Sequence, residues 1–570
     1  MNEENDIDFD ILTKIKLEWM LLFVIFSLIL YFSAIFDDGK LIHEVPVNLN
    51  AGDMFVTSAF GDVARFSDDM KKVPPEFAGG ATDALNFFSP LHGIILAELA
   101  SFVNAETYDF LIHLNLLTLI GAIFVMYFII KKFDTNAALV SLLIFPLVFK
   151  WPFNFIITWG GTYGNLNIFI AITTLLCFYR LNKSHMFIIL GIVNASSFLS
   201  HGREFQTANL AFATILLFWI IKDKAYKKIL EKPKEIIKLF SIEPSLIILK
   251  RYIWSIPITI LFMFPWWSVL RVFKETNLGI GIIRWGYNPL FHQVTFSSLG
   301  IFSYLIFLSI IMSLIYLYNQ KYNEFDSFLI FSLIFFICGI IIIAGNNIPQ
   351  ARAFYVITAL PMLCLLFCNI IGKITKVTNL SKNLITTVLF ITFLMVVLLL
   401  HKPESIGNSS LISPERMASF NWIKENIKDN STILATYGDE YNQRSVFAVI
   451  RKPYNIINQE DYFNAIKKEK LTSNYKIDKW VIHEKFIFDD KEGRIIAAPD
   501  EFIPVEESIC NYTYVYADKY SQNKILTTYN GLLIDALLKE ADFEIIYENQ
   551  LIVILKNKKI GGKCFLDKTL

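Results

Sequence analysis

Residues 50–70 read NAGDMFVTSAFGDVARFSDDM, and they follow closely on the first long apolar run of the chain. Four aspartates and one arginine alternate here with Phe, Val and Ala. Phe55, Ala59, Val63 and Phe66 recur at i, i+4, i+8 and i+11, which predicts a helix with one apolar stripe. Asp62, Arg65 and Asp69 follow at i, i+3 and i+7, positions that support one another on a polar side. Such a helix is expected to lie in the interface plane, its apolar side toward lipid or toward neighbouring helices. Asp53 stands apart at the head of the helix, after Gly52. It reads either as a helix cap or as a carboxylate held for chemistry.

Composition decides what kind of molecule surrounds this stretch. The chain has 570 residues, is 54% hydrophobic and 18% charged, and contains 52 Phe. Soluble domains carry about a quarter charged residues, so a polytopic membrane protein is expected. Its formal net charge is zero, which gives no basis for a nucleic-acid partner. Eleven apolar segments are long enough, or nearly so, to cross about 30 Å of hydrocarbon. They cover 17–36, 107–130, 136–149, 162–180, 186–200, 206–221, 253–270, 296–318, 327–344, 353–370 and 384–400. The first is not expected to be a cleaved signal, because LILYFSAIFDD has no small-x-small site.

Loop charge sets the orientation. The gap KDKAYKKILEKPKEIIKLFSIEPSLIILKRY, residues 222–252, carries nine Lys/Arg against four acids. Basic loops stay in the cytoplasm, so the N-terminus is expected inside, the loop 37–106 outside, and everything beyond about 400 outside too. Residues 1–400 then form the transmembrane unit with its external loop. Residues 401–570, about 170 in number, have the composition of a soluble domain and suffice for an α/β core. In it, SPERMASFNWIKENIKDNSTILATYGDE reads as a Ser/Pro-started helix, a turn and a strand. KWVIHEKFIF, NYTYVYAD and ADFEIIYENQLIVILK read as strands and GLLIDALLKE as a helix. Cys510 and Cys564 are the two cysteines of this part, and an external location permits a bridge between them. Cys177, Cys338, Cys364 and Cys368 lie in spans, where they serve as small packing residues.

The external loops gather the charged residues. Arg203, Arg271, Arg284 and Arg352 all map to outer ends of spans, with His201 and His292 nearby in topology. Cations at such depths are costly unless paired. Snorkelling or a loop salt bridge would explain any one of them; four on one face favour an anion site.

Several quoted stretches together carry a resemblance. After the first span comes GDMF…FGDVARF…VPP…NFFSPLHGIILAEL, then many spans with basic loops, RAFY…LP at 352–361, and FNWIKENIKDNSTILATYG near the end. This layout resembles the GT-C superfamily of membrane glycosyltransferases, which includes protein O-mannosyltransferases, lipid A aminoarabinose transferases and oligosaccharyltransferases. The resemblance covers nearly the whole chain. It implies about 11 transmembrane helices with a C-terminal extracytoplasmic α/β domain, and makes SPLHGIILAELASFV a juxtamembrane helix rather than a span. It further implies transfer of a sugar, with inversion, from a polyprenyl-phosphate donor to a lipid, glycan or protein acceptor, at the outer face of a bacterial or archaeal plasma membrane.

On this resemblance Asp53 matches the base that takes the acceptor's proton, with Asp62 as a second catalytic candidate. Arg352, Arg203, His201 and Arg284 become the candidates for holding the donor phosphate, since a guanidinium fork suits a phosphate. The chain departs from the better-known members: Met54 replaces the acid of a DE pair, and no WWD signature follows. No cofactor is expected, although Asp53 and Asp62 have the oxygen chemistry to share a divalent cation. Two other classes fit many spans with charged residues: a transporter or lipid flippase, and a non-catalytic subunit of an envelope-polysaccharide complex. A transporter would not need the exported domain, and a scaffold would not need Asp53.

Overall fold

The computed structural model describes residues 18–28, 36–37, 40–41, 53–66, 72–73, 84–86, 90–148, 186–200, 202–266, 284–285, 302–319, 324–343, 359–400, 412–428, 431–436, 449–450, 452, 454–457, 473–476, 481–483, 488–489, 494–495, 502–505, 512–520, 524–540 and 542–560. The 162–180 segment, Cys510, Cys564, Arg271 and His292 lie outside them.

Among the described residues, the N-terminal two-thirds is mainly helical. The helices are α1 (Glu18–Leu28), α2 (Asp53–Phe66), α3 (Pro90–Val103), α4 (Leu111–Ile130), α5 (Thr135–Val148), α6 (Met186–Ser200) and α7 (Gly202–Lys222). They continue as α8 (Ala225–Glu231), α9 (Ile236–Ile242), α10 (Pro244–Met263), α11 (Phe302–Asn319), α12 (Glu324–Ile341), α13 (Leu360–Thr378) and α14 (Lys382–Leu400). Among the described residues, α10 and α13 are long and apolar enough to cross a membrane, each with a mean hydropathy of 1.6.

Two apolar segments are corrected in their limits. The 107–130 segment opens as a 3-10 turn, Thr107–Phe110, before α4 begins. The basic gap is no plain loop: it folds into α8, α9 and the first turns of α10, which starts at Pro244 rather than 253. Glu243 and Pro244 provide the start signal, since proline at the head of a helix forfeits only a donor that has no partner there.

Helix α13 is the centre of the bundle. Leu360 through Phe367 are all buried, and α5, α11, α12 and α14 pack around it. It ends at Asn379, whose φ of 58° is the left-handed conformation that stops a helix. The charged ends of the bundle are tied by ion pairs. Glu18 accepts from Lys131 at 2.8 Å and from the Tyr127 hydroxyl at 2.5 Å, joining α1 to α4. Asp134 caps α5 through the Ala137 amide at 2.9 Å and also accepts from Lys382 at 3.3 Å.

Among the described glycines, Gly191 marks a close helix crossing. A Cβ on Gly191 of α6 would lie 2.5 Å from the Ile258 Cβ and 2.8 Å from the Ser255 carbonyl of α10. The Thr259 hydroxyl donates to the Gly191 carbonyl at 3.2 Å across the same contact.

Beyond residue 412 the chain forms α15 (Pro414–Asn426), β1 (Ile433–Thr436), β2 (Tyr454–Ile457), β3 (Ser473–Lys476), β4 (Phe502–Val505), β5 (Tyr514–Asp518), α16 (Lys524–Glu540), β6 (Phe543–Glu548) and β7 (Ile552–Asn557). The seven strands make one sheet in the order β4-β3-β2-β1-β5-β7-β6. Its centre, β2-β1-β5, is parallel, while the outer pairings are antiparallel. Ser413 caps α15 by accepting from the Arg416 amide at 3.2 Å. Arg416 in turn donates to Asp518, at the end of β5, at 3.0 Å, and both are buried. Asn530 of α16 donates to the Asp518 carbonyl at 2.8 Å, so one locus fastens both helices to the central strand.

Candidate active site

Helix α2 begins at Asp53, which places the candidate base at the N-terminal end where unpaired amides point outward. The helix lies against α3 and the 3-10 turn. Gly61 makes this approach possible: a Cβ there would lie 3.3 Å from the Gly93 carbonyl, 3.3 Å from the Thr107 Cγ2 and 3.4 Å from the Leu96 Cβ. The Ser58 and Thr107 hydroxyls meet at 2.8 Å, and Thr107 also donates to the Ser58 carbonyl at 3.2 Å.

This packing corrects the expected two-sided helix. Ala59 and Val63 of the apolar stripe are buried, but Phe66 is exposed. Asp62 is 0% exposed, on the buried side rather than a solvated one. Arg65 does not serve Asp62 but donates to the Ala105 carbonyl at 2.6 Å, with its guanidinium 5.0 Å from the Phe66 ring centroid. Asp69 lies outside the described residues. The reason is a neighbour: small residues on one face let α3 cover the helix, and the i, i+3, i+7 rule contains no α3.

A corner between α3 and α4 holds the arrangement. Asn104, at φ 54°, turns the chain out of α3, and the Ala105 amide returns to the Ala100 carbonyl at 2.9 Å. The Glu106 amide donates to Asp109 at 3.2 Å in a capping box. Lys424 of α15 forms an ion pair with Glu106 and stands 6.0 Å from the Tyr108 ring centroid. A second junction is a three-stranded sheet of Lys72–Val73, Ala84–Asn86 and Val481–His483, in which Ile482 pairs with Leu85. The sheet region and the loop bearing Asp53 are therefore fastened at two places.

His92, in the first turn of α3, is 4% exposed, and burial pushes its imidazole down to about 4. Sequence reasoning passed over it, although SPLHG places it beside the glycine that receives α2. The ion pair of Glu106 and Lys424 was equally unsignalled, since the partners lie far apart in the chain.

Two of the candidate phosphate ligands lie on described elements. Arg203 is in the first turn of α7, and α7 packs on α12 through Phe212 and Phe331, edge-on at 6.0 Å. Helix α12 leads into Ile342–Ile343, which pairs antiparallel with Arg284–Trp285. Arg284 is opposite Ile343 in that ladder. His201 and Arg352 themselves lie outside the described residues. Among the described residues, no group of three or more His, Cys, Asp or Glu is placed to hold a metal ion.

No protein-family model and no curated protein matches the sequence. Solved structures do match. The oligosaccharyltransferase of Archaeoglobus fulgidus, tethered to an acceptor peptide, is 11% identical with a TM-score of 0.54, over 95% of this chain and 74% of that one. Its apo form is 12% identical with a TM-score of 0.54, over 94% and 80%. ArnT from Cupriavidus metallidurans, bound to undecaprenyl phosphate, is 10% identical with a TM-score of 0.52, over 96% of this chain and 99% of that one. Nearly the whole chain is superimposed in each case, so the protein has the fold of the GT-C membrane glycosyltransferases.

Proposed function

We propose that this protein transfers a sugar from a polyprenyl-phosphate donor to an envelope acceptor (lipid, glycan or protein) at the outer face of a bacterial or archaeal plasma membrane. The observation that carries the reading is the match along nearly the full length of ArnT, a chain bound to undecaprenyl phosphate. The apolar helical bundle, the basic segment 222–252 and the position of Asp53 at the head of α2 support it.

In the proposed reaction the acceptor hydroxyl oxygen attacks the anomeric carbon from the face opposite the phosphate. Its proton passes to Asp53, the bond from the anomeric carbon to the phosphate oxygen breaks, and the sugar configuration inverts. The departing phosphate gains charge, which Arg352 and Arg203 stabilise, assisted by His201 and Arg284. Asp62, fully buried on α2, acts on this reaction by holding the helix that begins at Asp53.

Asp53→Asn keeps the shape and removes the basicity. Glycan profiling of membranes and envelope is expected to show sugar transfer reduced by at least about a hundredfold, the scale of general-base catalysis. Full transfer by a stably folded variant would remove the assignment and favour a non-catalytic subunit. In a separate measurement of donor affinity, Arg352→Ala is expected to weaken binding of the carrier lipid; unchanged affinity would count against the clamp.

A further inference from the structure

The basic segment between α7 and α10 has a construction that sugar transfer does not account for. Lys224, at φ 53°, reverses the chain after α7, and α8 and α9 fold back over the helix ends. Ala225, Leu239 and Leu246 form a small buried core, with Ile220, Ile229, Phe240 and Leu249 packed on it. Lys228 donates to both carboxylate oxygens of Glu243 at 2.8 Å, fixing α8 to the head of α10. The insert is a folded cap with its own inside.

Its outside carries large apolar side chains among its charged ones, Glu231 and Glu235 included. Leu230 is 75% exposed, Ile237 83%, Ile242 56% and Tyr226 39%. Tyr226 and Leu230 stand at i and i+4 on one side of α8, away from the inward Ala225 and Ile229. Lys227, Lys232, Lys234 and Lys238 are exposed among them. Large apolar side chains interleaved with lysines on short helices match a bilayer's headgroup boundary, where stems and rings enter the acyl edge and ammonium groups meet phosphates. The connection supports the same partner, because the insert leads directly into α10, one of the two helices among the described residues that are long and apolar enough to cross.

We infer that α8 and α9 form an interfacial foot that binds anionic phospholipids of the leaflet beneath it, the cytoplasmic one on the topology read from loop charge. Attraction of lysines to a negative surface and burial of Leu230 and Ile237 act together, and each lysine near such a surface is worth about fivefold in affinity. The foot does not depend on the proposed reaction; it would serve any activity of this bundle.

The test is hydrogen exchange followed by mass spectrometry on the full chain in nanodiscs of phosphatidylcholine, alone or mixed with phosphatidylglycerol. Peptides covering 225–242 are expected to exchange at least about fivefold more slowly with phosphatidylglycerol, and added salt should erase the difference. Lys227→Gln/Lys234→Gln/Lys238→Gln should abolish the lipid dependence while peptides of α10 stay unchanged, which reports that the bundle is intact. Equal exchange in the two lipids would overturn the inference. So would a lipid dependence that survives the triple substitution or high salt.

Discussion

His92 shows how one side chain can make this loop sensitive to acid. Burial holds its folded value at about 4, against about 6.5 in an unfolded chain. The unfolded state therefore takes up the proton first, so stability is complete above about pH 6.5 and falls as the pH drops toward 4. At about 1.4 kcal/mol per pH unit, the full loss is on the order of 3 kcal/mol. Melting of the detergent-solubilised protein is expected to fall more steeply between pH 6.5 and 5 for the native chain than for His92→Gln. Parallel curves would show that His92 is not the group responsible. Asp62 teaches the converse about reading residues. Its spacing with Arg65 announces a polar face, yet it is buried, because burial is decided by what crosses a helix and not by the helix alone.

At the level of elements, the close contact of α6 with α10 makes the strongest demand on the sequence. Gly191→Ala would set a methyl 2.8 Å from the Ser255 carbonyl, a backbone atom that can yield only if α10 shifts. A cost of about 1–3 kcal/mol is expected, as for other overpacked contacts. Gly531→Ala is the contrast: nothing lies within 4 Å of its added methyl. In the middle of α16 that change should stabilise by about 0.5–1 kcal/mol. Thermal unfolding of the two variants side by side should separate them in sign; equal effects would contradict the packing. Most of these elements were legible beforehand. Apolar runs announced α4, α5, α13 and α14, and SPER announced the capped start of α15. Less legible was the fold of 222–252, where a dense lysine pattern reads as a solvated loop while Ala225, Leu239 and Leu246 make a core too small to show as a period. For the site, the helix that begins at Asp53 was readable, but the Glu106 and Lys424 pair was not, because local rules carry no information across such a separation.

For the whole molecule, the central fact is that the loop after α2 is completed by a strand from the far end of the chain. Ala84–Asn86 has Lys72–Val73 on one side and Val481–His483 on the other. About 400 residues separate the paired positions. At about 5–20 residues per second, some 20–80 s of synthesis pass between the emergence of the first strand and that of its last partner. Throughout that interval the Ala84–Asn86 strand has an open edge. A nascent chain arrested before residue 481 is expected to be cut by trypsin at Lys71 or Lys72 much faster than the released full-length protein. Equal cutting would mean that the early loop closes without its late partner. The arrangement ties the early loop to the end of synthesis: a chain that stops before residue 481 lacks the strand that closes the edge of Ala84–Asn86.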